Sequence, residues 1–124
     1  MRRSSIILLG LALAVLDQIS KYLAKLYLPI TTNTGAAFGM FKGYNFIFVV
    51  ISAVVVVFVI EYVKKHPYPE LGLILGGILG NMADRVLLGH VVDFINLGWW
   101  PSFNLADSLS TIGVIFLVVR LMKN

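Results

Sequence analysis

No residue of this chain is cysteine. Disulfide frameworks, thiol nucleophiles and cysteine-ligated metals are therefore excluded. Charge is scarce as well. Asp, Glu, Lys and Arg make up 13% of the 124 residues, against 59% hydrophobic ones, and the mean hydropathy is +0.91. A soluble domain would carry about 25% charged residues, so the apolar surplus must face lipid. The net charge of +4 comes from scattered bases, with no basic block. Without a basic face interleaved with aromatics, no nucleic-acid partner is expected. Neither H-E-x-x-H nor G-x-S-x-G occurs, which removes two common hydrolase signatures. His66 and His90 have no metal-ligand spacing. Neither a metal nor an organic cofactor is expected.

What is present is four apolar runs. A membrane span needs about 20 mostly apolar residues, and segments 4–26, 44–63, 71–88 and 105–122 qualify. Phe46 to Ile60 is rich in valine, with Ser52 its one polar residue. That run is too long for an ordinary buried strand, so length favours helix. Arg2-Arg3 before Ile6 to Leu16 resembles a secretory leader. The apolar residues continue past Asp17, however, and three further spans follow, so an anchor is the simpler expectation. Gly72, Gly76 and Gly80 recur at four-residue spacing beside Gly77. Glycines on one face allow close helix approach, which predicts a central third helix. No repeat or low-complexity tract divides the chain, so 1–124 reads as one domain.

The loop Lys64-Lys-His-Pro-Tyr-Pro69 is short and basic. With Arg2, Arg3, Arg120 and Lys123, it predicts that both termini and this loop are cytoplasmic. Residues 29–43 and 89–103 then face outward. The fold class expected is an all-α membrane protein, a four-helix transmembrane bundle.

Only six residues are acidic, and four of them, Asp17, Asp84, Asp93 and Asp107, fall toward the outward face. Charges at the edge of hydrocarbon are costly and mark functional candidates. Asn81, Asp84 and Arg85 fall in the last two turns of the third span. Asp93 lies in Val91-Val-Asp-Phe-Ile, whose alternation suggests a short extended segment. Asn104 and Asp107 open the fourth span from the same face. Asp93 and Asp107, flanking a short aromatic segment, are therefore expected to be outward-facing neighbours, and a pair able to share one proton is aspartic-protease chemistry. Each residue also has a structural account. Asn104 with Asp107 three later reads as a helix cap. Asp84-Arg85 reads as an ion pair, and Arg85 as a base snorkelling to headgroups. Asp17 and Lys21 read as an i,i+4 pair tying helix 1 into the bundle. Trp99, Trp100, Phe94 and Phe103 fit an interface belt. For Asn33, with Gly35 and Gly39, contact with a substrate backbone competes with a plain turn. A Ser102–Lys21 dyad is conceivable, but nothing ties the two together.

Asn33-Thr-Gly-Ala-Ala-Phe-Gly39, Gly80-Asn-Met-Ala-Asp-Arg85, Val91-Val-Asp-Phe94, Phe103-Asn-Leu-Ala-Asp-Ser108 and Asp17-x-x-x-Lys21 together resemble the bacterial lipoprotein signal peptidases, signal peptidase II. The match covers nearly the whole chain, in order. The chain is shorter than most members, and Thr32 stands where an arginine is common. The resemblance implies an aspartic endopeptidase of the bacterial cytoplasmic (inner) membrane, its site at the outer face under a small extracytoplasmic β/loop cradle. It implies Asp93 and Asp107 as the catalytic pair. Asn33, Gly35, Asn81, Asp84, Arg85, Asn104, Asp17 and Lys21 would bind substrate or support the site. The implied partners are membrane lipid, a prolipoprotein cut just before its diacylglyceryl-modified cysteine, and inhibitors of the globomycin type. Two other classes compete with this reading. A small four-span proton-coupled transporter would use Asp17 as its coupling carboxylate. A membrane scaffold would need only the glycine face.

Overall fold

The computed structural model describes residues 1–36 and 40–124. Four long helices run as α1 (Arg3–Tyr27), α2 (Asn45–Lys65), α3 (Glu70–Leu88) and α4 (Leu105–Lys123). All four are long and apolar enough to cross a membrane. Two short strands, β1 (Thr31–Asn33) and β2 (Val91–Asp93), pair antiparallel, with Thr31 opposite Asp93 and Asn33 opposite Val91. This is the expected bundle with a small β cradle. The valine-rich second run is helical, as its length predicts. Segment 3–27 is one uninterrupted helix.

α3 is the hub. Half of its most apolar stretch is buried, against 11% for α2 and for α4, because α1 and α4 pack on its two sides through glycines. A Cβ on Gly72 would meet Leu9, one on Gly76 would meet Leu13, and one on Gly80 would meet Asp17. Gly77 faces the other way. Its Cβ would lie 2.5 Å from the Ala106 carbonyl oxygen and 2.9 Å from the Ser110 nitrogen. Backbone cannot step aside as a side-chain tip can, so Gly77→Ala pushes away the first turn of α4, the turn that carries Asp107. Overpacking of this kind costs about 1–3 kcal/mol. The expected result is a lowered unfolding temperature in detergent together with reduced turnover. A variant as stable and active as the parent would show that α4 does not need this approach.

The remaining apolar surface of α1, α2 and α4 is exposed, for example Phe46, Phe58 and Phe116. Such a surface is stable only in lipid. At the end of the bundle far from the cradle, Arg120 on α4 pairs with Glu70 on α3 and lies over the Tyr68 ring. Ile6, Val63, Leu71 and Ile74 form the buried core beside it.

Two devices bring the chain back over the other end. Gly89 closes α3 in the left-handed region, with φ 77°, where a side chain would be strained. The segment after β2 then loops out and is pinned by a backbone bridge between Ile95 and Phe103. The Phe103 N–H donates to the Ile95 carbonyl at 3.1 Å, and the Ile95 N–H donates back at 2.9 Å. This clasp sets Asn104 beside Asp93 and lets α4 start there.

Candidate active site

Asn104 joins the two aspartates expected to be neighbours. Its Nδ2 donates to Asp93 Oδ1 at 3.0 Å, to the Val92 carbonyl at 3.2 Å and to Asn81 Oδ1 at 3.0 Å. Its backbone N–H donates to Asp107 Oδ2 at 3.1 Å, and its Oδ1 accepts the Asp107 N–H at 2.8 Å. The last two bonds are the reciprocal capping box that the Asn-x-x-Asp spacing suggests. The cap and the carboxylate pair thus coexist on one residue. Asp107 Oδ1 accepts from Asn81 Nδ2 at 2.9 Å, so both of its oxygens are held as acceptors by N–H donors.

Asp93 is 5% exposed. Burial, and then the nearby Asp107 charge, push its carboxyl up to about 7, although Lys21, the Asn104 amide and Arg85 pull the other way. The two carboxylates line different clefts. Asp107 faces one of 410 Å³ walled by Trp100, Phe103 and the Ser108–Thr111 side of α4. Asp93 faces one of 300 Å³ between Leu28, Thr31, Phe94 and Ser102.

Below the pair lies a buried ionic cluster. Lys21 Nζ contacts Asp17 Oδ2 at 2.7 Å, Asp84 Oδ2 at 3.0 Å and Asn81 Oδ1 at 3.0 Å. An ammonium has three N–H donors, so it is fully used. Asp17 Oδ1 accepts the Ala106 N–H at 2.8 Å, at the start of α4. Asp84 also accepts from Gln18 Nε2 at 2.9 Å and from the Val92 N–H at 3.0 Å. The Asp17–Lys21 pair therefore does tie helix 1 into the bundle, as expected, touching α3 and α4 directly and β2 through Asp84.

Two of the structural accounts do not hold. Arg85 is not the partner of Asp84, which pairs with Lys21, and it does not snorkel, being 8% exposed. Its guanidinium turns to the outer loop, donating to the Gly35 carbonyl and to Asn45 Oδ1, with its Cζ 5.2 Å from the Phe48 ring centroid. The physical reason is register. On α3 the two neighbours point about 100° apart, one toward α1 and one toward α2. Asn33 forms a turn: its Oδ1 accepts the Gly35 N–H and its Nδ2 donates to the Ala36 carbonyl. Ala37, Phe38 and Gly39, and with them the Gly39 expectation, lie outside the described residues. Lys21 has no hydroxyl among its three partners, so the Ser102–Lys21 dyad finds no support. Among the described residues no group of three His, Asp or Glu is placed to hold a metal.

Gln18 and Asn45 escaped the sequence reading. Gln18 bonds Asp84 and the Gly80 carbonyl, while Asn45 exchanges two bonds with Arg85. A polar residue opening the otherwise apolar second run was the available signal for Asn45. For Gln18 it was adjacency to Asp17.

Helices of spanning length, with paired carboxylates and an ion cluster at one end, define a polytopic membrane protein with a candidate site at the helix ends. The profile described as signal peptidase (SPase) II matches residues 9–123. A lipoprotein signal peptidase from Syntrophomonas wolfei is 44% identical, over 78% of this chain and 68% of that protein. One from Symbiobacterium thermophilum is 34% identical, over 94% of this chain and 93% of that protein. A solved bacterial membrane enzyme superimposes with TM-score 0.87 at 30% identity, over 97% of this chain and 88% of that one. The chain belongs to the signal peptidase II family, and it is a multi-pass membrane protease.

Proposed function

We propose that this protease removes signal peptides from prolipoproteins with the Asp93–Asp107 pair, cutting just before the diacylglyceryl-modified cysteine. The single observation that carries the catalytic assignment is Asn104. One side chain and its own backbone hold both carboxylates at the mouth of two clefts. Family membership and the likeness to lipoprotein signal peptidases support the substrate class.

The roles divide by hydrogen bonding. Asp107 accepts N–H donors at both oxygens, which favours a carboxylate. Asp93, desolvated and next to that charge, carries the shared proton. Asp107 takes a proton from a water as its oxygen attacks the scissile carbonyl carbon. Asp93 gives its proton to the carbonyl oxygen, forming a neutral tetrahedral diol. Collapse breaks the C–N bond, the departing nitrogen is protonated by Asp107, and Asp93 recovers its proton from a diol hydroxyl whose oxygen stays as the carbonyl of the new carboxyl group. Asn81 and Asn104 hold the carboxylates. Arg85 braces the outer loop at Gly35.

The bases at residues 2, 3, 64, 65 and 123, remote from the pair, support cytoplasmic termini and a site at the outer face of the bacterial cytoplasmic membrane. A globomycin-type inhibitor would occupy the same site, at the lipid boundary. The transporter alternative has no comparable support, since Asp17 is sealed by Lys21 and the start of α4.

The test is cleavage of a purified diacylglyceryl-modified precursor followed across pH. Because Asp93 acts while protonated, turnover should fall as pH rises through about 7. A rate that climbs steadily from pH 6 to 9 would overturn the division of roles. No cleavage at any pH would overturn the function itself.

A further inference from the structure

We propose that Lys21 is a positioning residue for catalysis, holding the Asn81 amide so that its NH2 group, not its oxygen, meets Asp107. The proposal rests on the assignment of Asp107 as the carboxylate that activates water.

An asparagine side chain has nearly the same shape after a half-turn, so its orientation is decided by its neighbours. Here they leave one choice. Asn81 Oδ1 sits 3.0 Å from Lys21 Nζ and 3.0 Å from Asn104 Nδ2. Both are donors, and an ammonium has no acceptor at all. The half-turn would point the Asn81 NH2 at an ammonium and its oxygen at a carboxylate. With the Asn81 NH2 also set against the Asn104 NH2, three unfavourable contacts would replace three bonds. With Lys21 in place, Nδ2 must donate to Asp107 Oδ1, as it does at 2.9 Å.

Lys21 is in turn immobile. Asp17 and Asp84 clamp it from α1 and α3, and it is 2% exposed. A chain of contacts thus runs from two buried carboxylates through one ammonium and one amide to Asp107. Removal of Lys21 would leave Asn104 as the sole constraint on the Asn81 oxygen. Asp107 would then lose a fixed donor and gain rotational freedom. A misplacement of about 1 Å near reacting atoms lowers turnover about 100-fold, while substrate affinity, set by the clefts, is spared.

Lys21→Met alone leaves two buried carboxylates facing each other and can fail to fold, so the test uses charge-balanced pairs. In the Asp84→Asn background, Lys21→Met keeps one buried negative charge, the same net as the parent. Relative to Asp84→Asn alone, kcat should fall a further tenfold or more, on the order expected for a mispositioned group, with KM within about twofold. The same step taken in an Asp84→Asn, Asn81→Ala background should cost nothing further, because the orientable amide is gone. A full second loss there would mean that Lys21 only fastens helix 1, and the proposal falls. Asn81→Asp decides independently should the Lys21 variants not fold. It preserves shape and the Lys21 contact but offers Asp107 an oxygen. Its kcat should drop about 100-fold in a folded protein, and parental turnover would overturn the proposal. Failure of the underlying reading would look different, as full activity in Asp107→Asn.

Discussion

Asp93→Asn and Asp107→Asn should both abolish cleavage, each lowering turnover by at least about 10⁴-fold, yet they should move stability in opposite directions. An asparagine in place of Asp93 keeps the bond to Asn104 but has no proton to give. It also never has to bear a buried charge. The Asp93 carboxyl titrates near 7 in the fold and near 3.9 in an unfolded chain. The folded state therefore holds this proton the more tightly. Stability is undiminished below the unfolded value, falls as pH rises between the two, and is fully reduced above about 7. The reduction is at most about 4 kcal/mol, and the neutral amide escapes it. Asp93→Asn should then unfold at a higher temperature than the parent at pH 8 and at nearly the same temperature at pH 4. Asp107 differs because its two oxygens serve two donors, the Asn81 amide and the Asn104 N–H. An asparagine has one acceptor oxygen for both, so one bond is replaced by an NH2 facing a donor. The loss of a cap partner costs about 1 kcal/mol. Thermal unfolding in detergent at the two pH values, beside the cleavage assay, checks both halves. A dead but destabilised Asp93→Asn at pH 8 would contradict the environment described for that carboxyl.

The four helices were legible because hydropathy over a span length is a strong one-dimensional signal. The second helix, expected over 44–63, is Asn45–Lys65, and the third, expected from 71, begins at Glu70. The cap was legible because Asn104 and Asp107 interact across only three residues. The ends of the bundle were legible only as a neighbourhood. Nothing in Asp84-Arg85 tells which neighbour each faces. That depends on α1 lying on one side of α3 and α2 on the other, and on β1 returning Gly35 within reach of a guanidinium. The dual role of Asn104 was equally hidden. Capping and catalysis stood as competing accounts of Asp107, whereas the Ile95–Phe103 clasp lets one asparagine cap α4 and hold both carboxylates. It caps the helix with its backbone and carbonyl oxygen while its NH2 group holds Asp93. The ionic pair on helix 1 was visible as a pair. Its third member, Asp84, required the Gly80 approach that draws α1 against α3 at Asp17.

Asp84→Ala should be clearly destabilising, and it should also reach the Asp93–Asp107 pair. Asp84 is 2% exposed, and it accepts from Lys21, Gln18 and the Val92 N–H. Lys21 and Gln18 each retain another acceptor, Asp17 and the Gly80 carbonyl. Val92 is wholly buried. Among the described residues no other acceptor is placed for its N–H, because β2 pairs with β1 on one side only. Lys21 stays paired with Asp17, so no buried charge is left alone; the orphaned buried N–H costs about 1–3 kcal/mol, and the lost Lys21 and Gln18 contacts add to it. The second cost concerns function. Val92 immediately precedes Asp93, and its carbonyl and the Asp93 carboxylate share one amide of Asn104. A β2 that shifts to find water for its N–H carries Asp93 with it. Asp84→Asn separates the two effects. It loses the charge but keeps one oxygen for the Val92 N–H, so turnover should recover toward the parent while part of the stability loss remains. Unfolding temperature and kcat measured on the two variants decide the matter. If Asp84→Asn restores stability but not turnover, the strand is not what links Asp84 to the pair.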